Sequence, residues 1–117
     1  MRSFDLAERP SVWAFFLLCL LGIGTVASAR HAPRRVEVKI EDLKFKPVTI
    51  EISTGDTIVW INDDDTDHDI KADDGSFDSG RLAAGHRFEH KIDKSGKFDY
   101  HDDLHPRMHG TIVVTEQ

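Results

Sequence analysis

The residues best equipped for chemistry lie together near the C-terminus, in Phe98-Asp99-Tyr100-His101-Asp102-Asp103-Leu104-His105-Pro106-Arg107-Met108-His109-Gly110. His105 offers an imidazole nitrogen, Met108 a thioether three residues later, and Asp102 a carboxylate three residues earlier. These are metal-ligand types: imidazole suits copper and zinc, and thioether sulfur suits soft ions such as Cu(I). Methionine more often fills a core, but Met108 stands among charged residues instead of in an apolar run. Pro106 stiffens the chain between His105 and Met108 and fixes how their side chains diverge.

The other candidate groups carry less. His101 and His109 alternate away from the side on which Asp102 falls, and both are expected at the surface. His86 and His90 have no paired motif and default to structural or solvated roles. Asp65-x-Asp67-x-Asp69 opens like a calcium loop, but Ile70 stands where glycine is needed and Ser76 where glutamate is needed. The Asp63–Asp67 run therefore reads as a solvated acidic turn, at most a weak cation patch. No nucleophile–base pair, phosphate-binding glycine loop or carboxylate pair stands out, so the chain does not read as an enzyme.

The elements that must position these residues are strands. Val36, Val38 and Ile40 alternate with polar residues, as do Val48, Ile50 and Ile52; Thr57–Asn62 is rich in β-formers. Phe88, His90 and Ile92 alternate, then Phe98, Tyr100 and Asp102, and Thr111–Val114 closes the series. Turn signals separate them at Thr54-Gly55-Asp56, Asp63–Asp67, Asp74-Gly75, Ala84-Gly85, Ser95-Gly96 and Gly110. Six or seven short strands with no long amphipathic helix predict an all-β antiparallel Greek-key sandwich. In that sandwich Asp102 shares a face with Phe98 and Tyr100, the expected core face.

The first 29 residues read as a cleavable export signal. Arg2 and Arg9 precede the uncharged run Ala14–Ala27, and Ala27-Ser28-Ala29 fits the small-x-small cleavage pattern. The run is short for a membrane span, which takes about 20 residues; an uncleaved anchor is the alternative. Cys19 lies in the signal without the small residues of a lipoprotein site, so no cysteine remains for a disulfide. Residues 30–35 read as a short solvated leader and 36–117 as one domain. Those parts keep the whole formal charge of −6 and all seven histidines, which argues against nucleic acid. Small cations and basic protein surfaces remain as partners. A periplasmic monomer with no membrane contact after cleavage is expected.

The sequence resembles the small blue-copper proteins, the cupredoxins, and among them the amicyanins. Tyr100 and His105-Pro106-x-Met108-x-Gly110 match the end of that family's motif, Tyr-x-Tyr-x-Cys followed by x-x-His-Pro-x-Met-x-Gly. Gly55-Asp56-Thr57-Ile58-Val59-Trp60-Ile61-Asn62 resembles the strand before the family's first copper histidine, which places His68 as that ligand. Phe45-x-Pro47 and Gly85-x-x-Phe88 also agree, and the likeness covers about residues 36–115. One departure stands out: the family's copper cysteine is replaced by Asp102. A bare carboxylate on the core face is costly unless it is protonated, hydrogen-bonded or bound to a cation.

The resemblance thus implies one copper ion, with zinc an alternative, held by His68, Asp102, His105 and a weak axial Met108. Blue colour depends on a covalent copper–thiolate bond, and carboxylate is a harder ligand. The expectation is a non-blue site that favours Cu(II) and serves copper binding or handling. Electron transfer to a redox partner is the family's inherited alternative, and an interaction domain with a decayed site is the third.

Overall fold

The computed structural model describes residues 32–117. The expected export signal, with Cys19, and the first leader residues lie outside the described residues. Every regular element described is a strand: β1 Arg35–Glu41, β2 Lys44–Lys46, β3 Thr49–Ser53, β4 Thr57–Asn62, β5 His68–Ala72, β6 Asp78–Leu82, β7 Arg87–Lys91, β8 Gly96–Asp102 and β9 His109–Thr115. They form two sheets, ordered β2-β1-β4-β7 and β3-β9-β8-β5-β6.

The alternating residues meet between the sheets. Val38 and Ile40 from β1, Ile58 and Trp60 from β4, Tyr100 from β8, and Ile112 and Val114 from β9 are all buried in one apolar cluster. Trp60 is its centre, with the rings of Phe77 at 5.3 Å, Phe88 at 5.5 Å and Tyr100 at 5.5 Å. Phe45 meets Tyr100 edge-on at 4.7 Å. Each of these aromatic contacts adds about 0.5–1.5 kcal/mol beyond simple area burial.

The all-β sandwich is as the sequence predicts, with three differences. The sheets are mixed, not wholly antiparallel: β1 pairs β4 in parallel (Val38 opposite Trp60), and β3 pairs β9 in parallel (Ile50 opposite Ile112). The chain crosses to the second sheet after β2 and returns after β3, so β4 lies on the side of β1 away from β2 and runs in the same direction as β1. Among the described residues nine strands form, because β2, β5 and β6 pair without the apolar alternation that marks a strand in sequence. Val48 precedes β3 and is exposed, although it alternates with Ile50 and Ile52; its carbonyl accepts the Thr111 N–H at 2.9 Å.

Asp56 ties the start of the domain down. This buried carboxylate accepts the Arg34 N–H at 2.8 Å, the Ser53 N–H at 3.0 Å and the Arg34 guanidinium at 3.2 Å. Arg34, placed by sequence in a solvated leader, is thereby bonded to the fold. Burial pushes the Asp56 carboxyl up, but these donors outweigh it and hold it below the usual range.

Candidate metal centre

The site forms where the first residue of β5 meets the last residue of β8. The two strands run antiparallel with Ile70 opposite Asp102, which brings His68 alongside the end of β8. The β8–β9 loop then folds back on itself. The His105 N–H donates to the Asp102 carbonyl at 3.2 Å, the Met108 N–H to the His105 carbonyl at 2.9 Å, and the Asp102 N–H to the Met108 carbonyl at 3.1 Å. These bonds carry His105 over Asp102 and turn Met108 inward.

His68, Asp102 and His105 come together. One ligand atom from each lies within 4.8 Å of the others. His68 and Asp102 are fully buried, while the His105 side chain keeps 31% of its surface exposed. The two rings are 5.0 Å apart and tilted by 54°. Met108 is buried, packs into the apolar cluster, and lines a cleft of about 360 Å³ with His105, Pro106, Arg107, Leu43 and Leu104.

The two Asp102 oxygens have different tasks. Oδ1 accepts the backbone N–H of Asp69 at 3.0 Å and of Leu104 at 2.9 Å. Oδ2 faces both histidines, in contact with His68 Nδ1 and 3.3 Å from His105 Nδ1. Burial pushes this carboxyl up, but the Asp69 N–H, His68 and the Leu104 N–H outweigh it, and it titrates below its ordinary value. An anionic oxygen and two ring nitrogens therefore converge on one buried point. The Tyr100 phenol on the same strand is pushed up to about 12 by burial and adds no charge.

Sequence reasoning missed Asp64. Its Oδ2 contacts His68 Nε2 at 2.9 Å and accepts the Leu43 N–H at 3.1 Å, and its Oδ1 accepts the Asp42 N–H at 2.7 Å. Burial raises this carboxyl, and His68 with the two N–H groups brings it below its usual value. Asp64 is thus no part of a solvated turn. Buried Asn62 builds the loop around it, donating to the carbonyls of Thr66 at 2.9 Å and Leu82 at 3.0 Å. The available signals were the i, i+4 spacing of Asp64 and His68 and the asparagine just before the acidic run. His68 faces a carboxylate through each ring nitrogen.

Among the described residues, the remaining histidines are not part of this cluster. His101 Nδ1 pairs with Asp73 at 2.6 Å on the outer face of its sheet, and His109 is exposed. His90 lies against Phe77 at 5.1 Å.

A profile of the Cupredoxin-like domain family matches residues 12–114. The chain belongs to that family. This cupredoxin is 27% identical to amicyanin-alpha of Methylorubrum extorquens over 115 residues, covering 93% of this chain and 97% of that protein. It is 27% identical to amicyanin of Paracoccus denitrificans over 93 residues, covering 75% of this chain and 71% of that one. Among solved structures, a purple cupredoxin from Nitrosopumilus maritimus superposes with TM-score 0.63 at 29% identity, covering 68% of this chain and 99% of that chain. A copper-containing nitrite reductase from Thermus scotoductus superposes with TM-score 0.67 at 27% identity; 80% of this chain matches only 25% of that one.

Proposed function

We propose that this cupredoxin is an exported, periplasmic copper-binding protein whose site is non-blue and serves copper binding or handling rather than catalysis. His68 and His105 would hold the ion through Nδ1, Asp102 through Oδ2 alone, and Met108 as a weak fourth ligand. One observation carries this reading: Asp102 Oδ1 is committed to two backbone N–H groups, leaving Oδ2 as the atom that faces both Nδ1 atoms. The donor set fits copper, since imidazole suits it and one carboxylate offsets one charge of a divalent ion. Bound copper supplies one-electron chemistry between Cu(I) and Cu(II).

The chain's own residues bias that chemistry. A carboxylate in the thiolate position is a hard donor that favours Cu(II). The backbone bonds to Oδ1 keep Asp102 ionised inside the core. The β8–β9 loop, closed by its own backbone bonds, fixes the backbone that carries His105 and Met108.

Electron transfer is the second reading, and a surface feature favours it. Leu43, Val48 and Leu104 are the exposed large apolar residues among those described. Leu104 lines one cleft, Val48 a second and Leu43 both; the two clefts also share Arg107 and Met108, beside half-exposed His105. Apolar surface gathered in this way marks a docking site, and a redox or copper-handling protein is the partner it would serve.

Titration of the purified protein with Cu(II) and Zn(II) tests the primary reading. One Cu(II) per chain, lost in His68→Ala, is expected; failure of both ions to bind stoichiometrically would end it. Voltammetry separates the two roles: fast, reversible reduction favours the carrier, and sluggish reduction favours handling.

A further inference from the structure

The β1–β2 connection has only two residues, Asp42 and Leu43, between paired Glu41 and Lys44. Both have left-handed backbone, with φ of 55° and 56°. Two-residue hairpins that need φ > 0 at both positions are dominated by Asn-Gly and similar pairs. Leucine is a poor choice for this conformation because its Cβ crowds the backbone. Strained backbone of this kind persists only when its surroundings hold it. Here the holder is one carboxylate, because the N–H groups of both strained residues point to Asp64.

The same carboxylate bonds Nε2 of His68, whose Nδ1 faces Asp102 and His105. Imidazole ligands are oriented by what their second nitrogen meets, and losing that partner typically weakens metal binding about 10–100-fold. We propose that Asp64 is the positioning residue of this centre, fixing the His68 ring for the metal and tying it to the β1–β2 turn. This rests on the copper reading above. Leu43, at the tip of the turn, also lines the cleft beside His105 and Met108. The turn at the rim and the buried histidine are therefore joined by a single side chain.

A turn that no longer needs its holder separates positioning from simple support. The paired change Asp42→Asn and Leu43→Gly supplies residues that adopt φ > 0 readily. Asp64→Asn is then made in the parent protein and in this relaxed-turn background. Each protein is followed by thermal melting without metal, by competitive Cu(II) titration and by EPR of the Cu(II) form. In the relaxed background Asp64→Asn should lower the melting temperature clearly less than in the parent, yet weaken Cu(II) binding about 10–100-fold and alter the EPR spectrum. In the parent background the same change should also lower the melting temperature. Unchanged Cu(II) affinity and spectrum in the relaxed background would overturn the positioning role and leave Asp64 as a turn clamp. Absence of Cu(II) binding by the parent protein would refute the copper reading itself, and this inference with it.

Discussion

Replacing Gly110 by alanine puts a methyl group where the Tyr100 ring already lies. A Cβ built on Gly110 falls 2.3 Å from the ring's Cζ, 2.5 Å from its hydroxyl and 2.6 Å from Cε1. Non-bonded carbons prefer about 3.5–4.0 Å, so the ring must retreat by roughly 1 Å or more. It has nowhere to go: Tyr100 is fully buried, with Phe45 and Trp60 packed against it and Gly110 opposite it in the next strand. Adding a methyl to a packed core costs about 1–3 kcal/mol, and losing a buried aromatic costs about 3–5 kcal/mol. The expected loss lies where the ranges meet, about 3 kcal/mol, or a fall of about 12–24 °C in melting temperature for a domain this size. Thermal melts of Gly110→Ala, Tyr100→Leu and the double variant form a cycle. With the ring gone, Gly110→Ala should cost little further. Loss of under about 1 kcal/mol in the parent, or an equal penalty in both backgrounds, would refute the packing account. Gly110 lies two residues beyond Met108, and Tyr100 two before Asp102, so the variant should also weaken copper binding.

Acid should loosen the domain through Asp56. Its folded pKa is depressed, so its contribution is present above the ordinary value of 3.8 and is lost as pH falls through the lower folded value. Melting temperature should therefore drop steeply below about pH 4 in the parent and less steeply in Asp56→Asn; parallel curves would remove Asp56 from the explanation. His101 shifts the other way, its pKa raised mainly by the hydrogen bond to Asp73, so its contribution fades as pH rises through a folded value above 6.5. NMR titration should place its midpoint above 6.5, and Asp73→Asn should lower it; no response to that change would contradict the pairing. Asp102→Cys should give an intensely blue copper form, because it restores the thiolate between two histidines already in place. A colourless copper form of that variant would mean that the pocket differs from the family's in more than one residue.

Much of this was legible in the sequence because burial alternates along β1, β8 and β9, while β4, with Ile58, Val59 and Trp60 all buried, was marked by its run of β-formers. The same alternation put Asp102 on the core face, and the spacing of His105, Pro106 and Met108 marked the loop. Other features had no local signature. A parallel neighbour and an antiparallel one need the same apolar pattern, so the β1–β4 and β3–β9 pairings come only from the crossing of the chain between sheets. Asp78-Ser79-Gly80-Arg81-Leu82 forms β6 with mostly exposed side chains, and its pairing with β5 is irregular between Asp69 and Lys71. Asp42-Leu43 gave no turn signal because leucine is not a turn residue; the conformation is held by Asp64, more than twenty positions away. For Asp64 the sequence held only the i, i+4 spacing to His68 and the asparagine before the acidic run, since the folded loop decides which carboxylate reaches His68.

Optical and EPR spectra of the Cu(II)-loaded protein test the central claim most directly. One ion per chain, weak visible absorption and nitrogen hyperfine structure from two histidines, lost on changing His68 or His105, is the predicted result. An intense blue colour, or copper that binds without involving His68, His105 and Asp102, would contradict it.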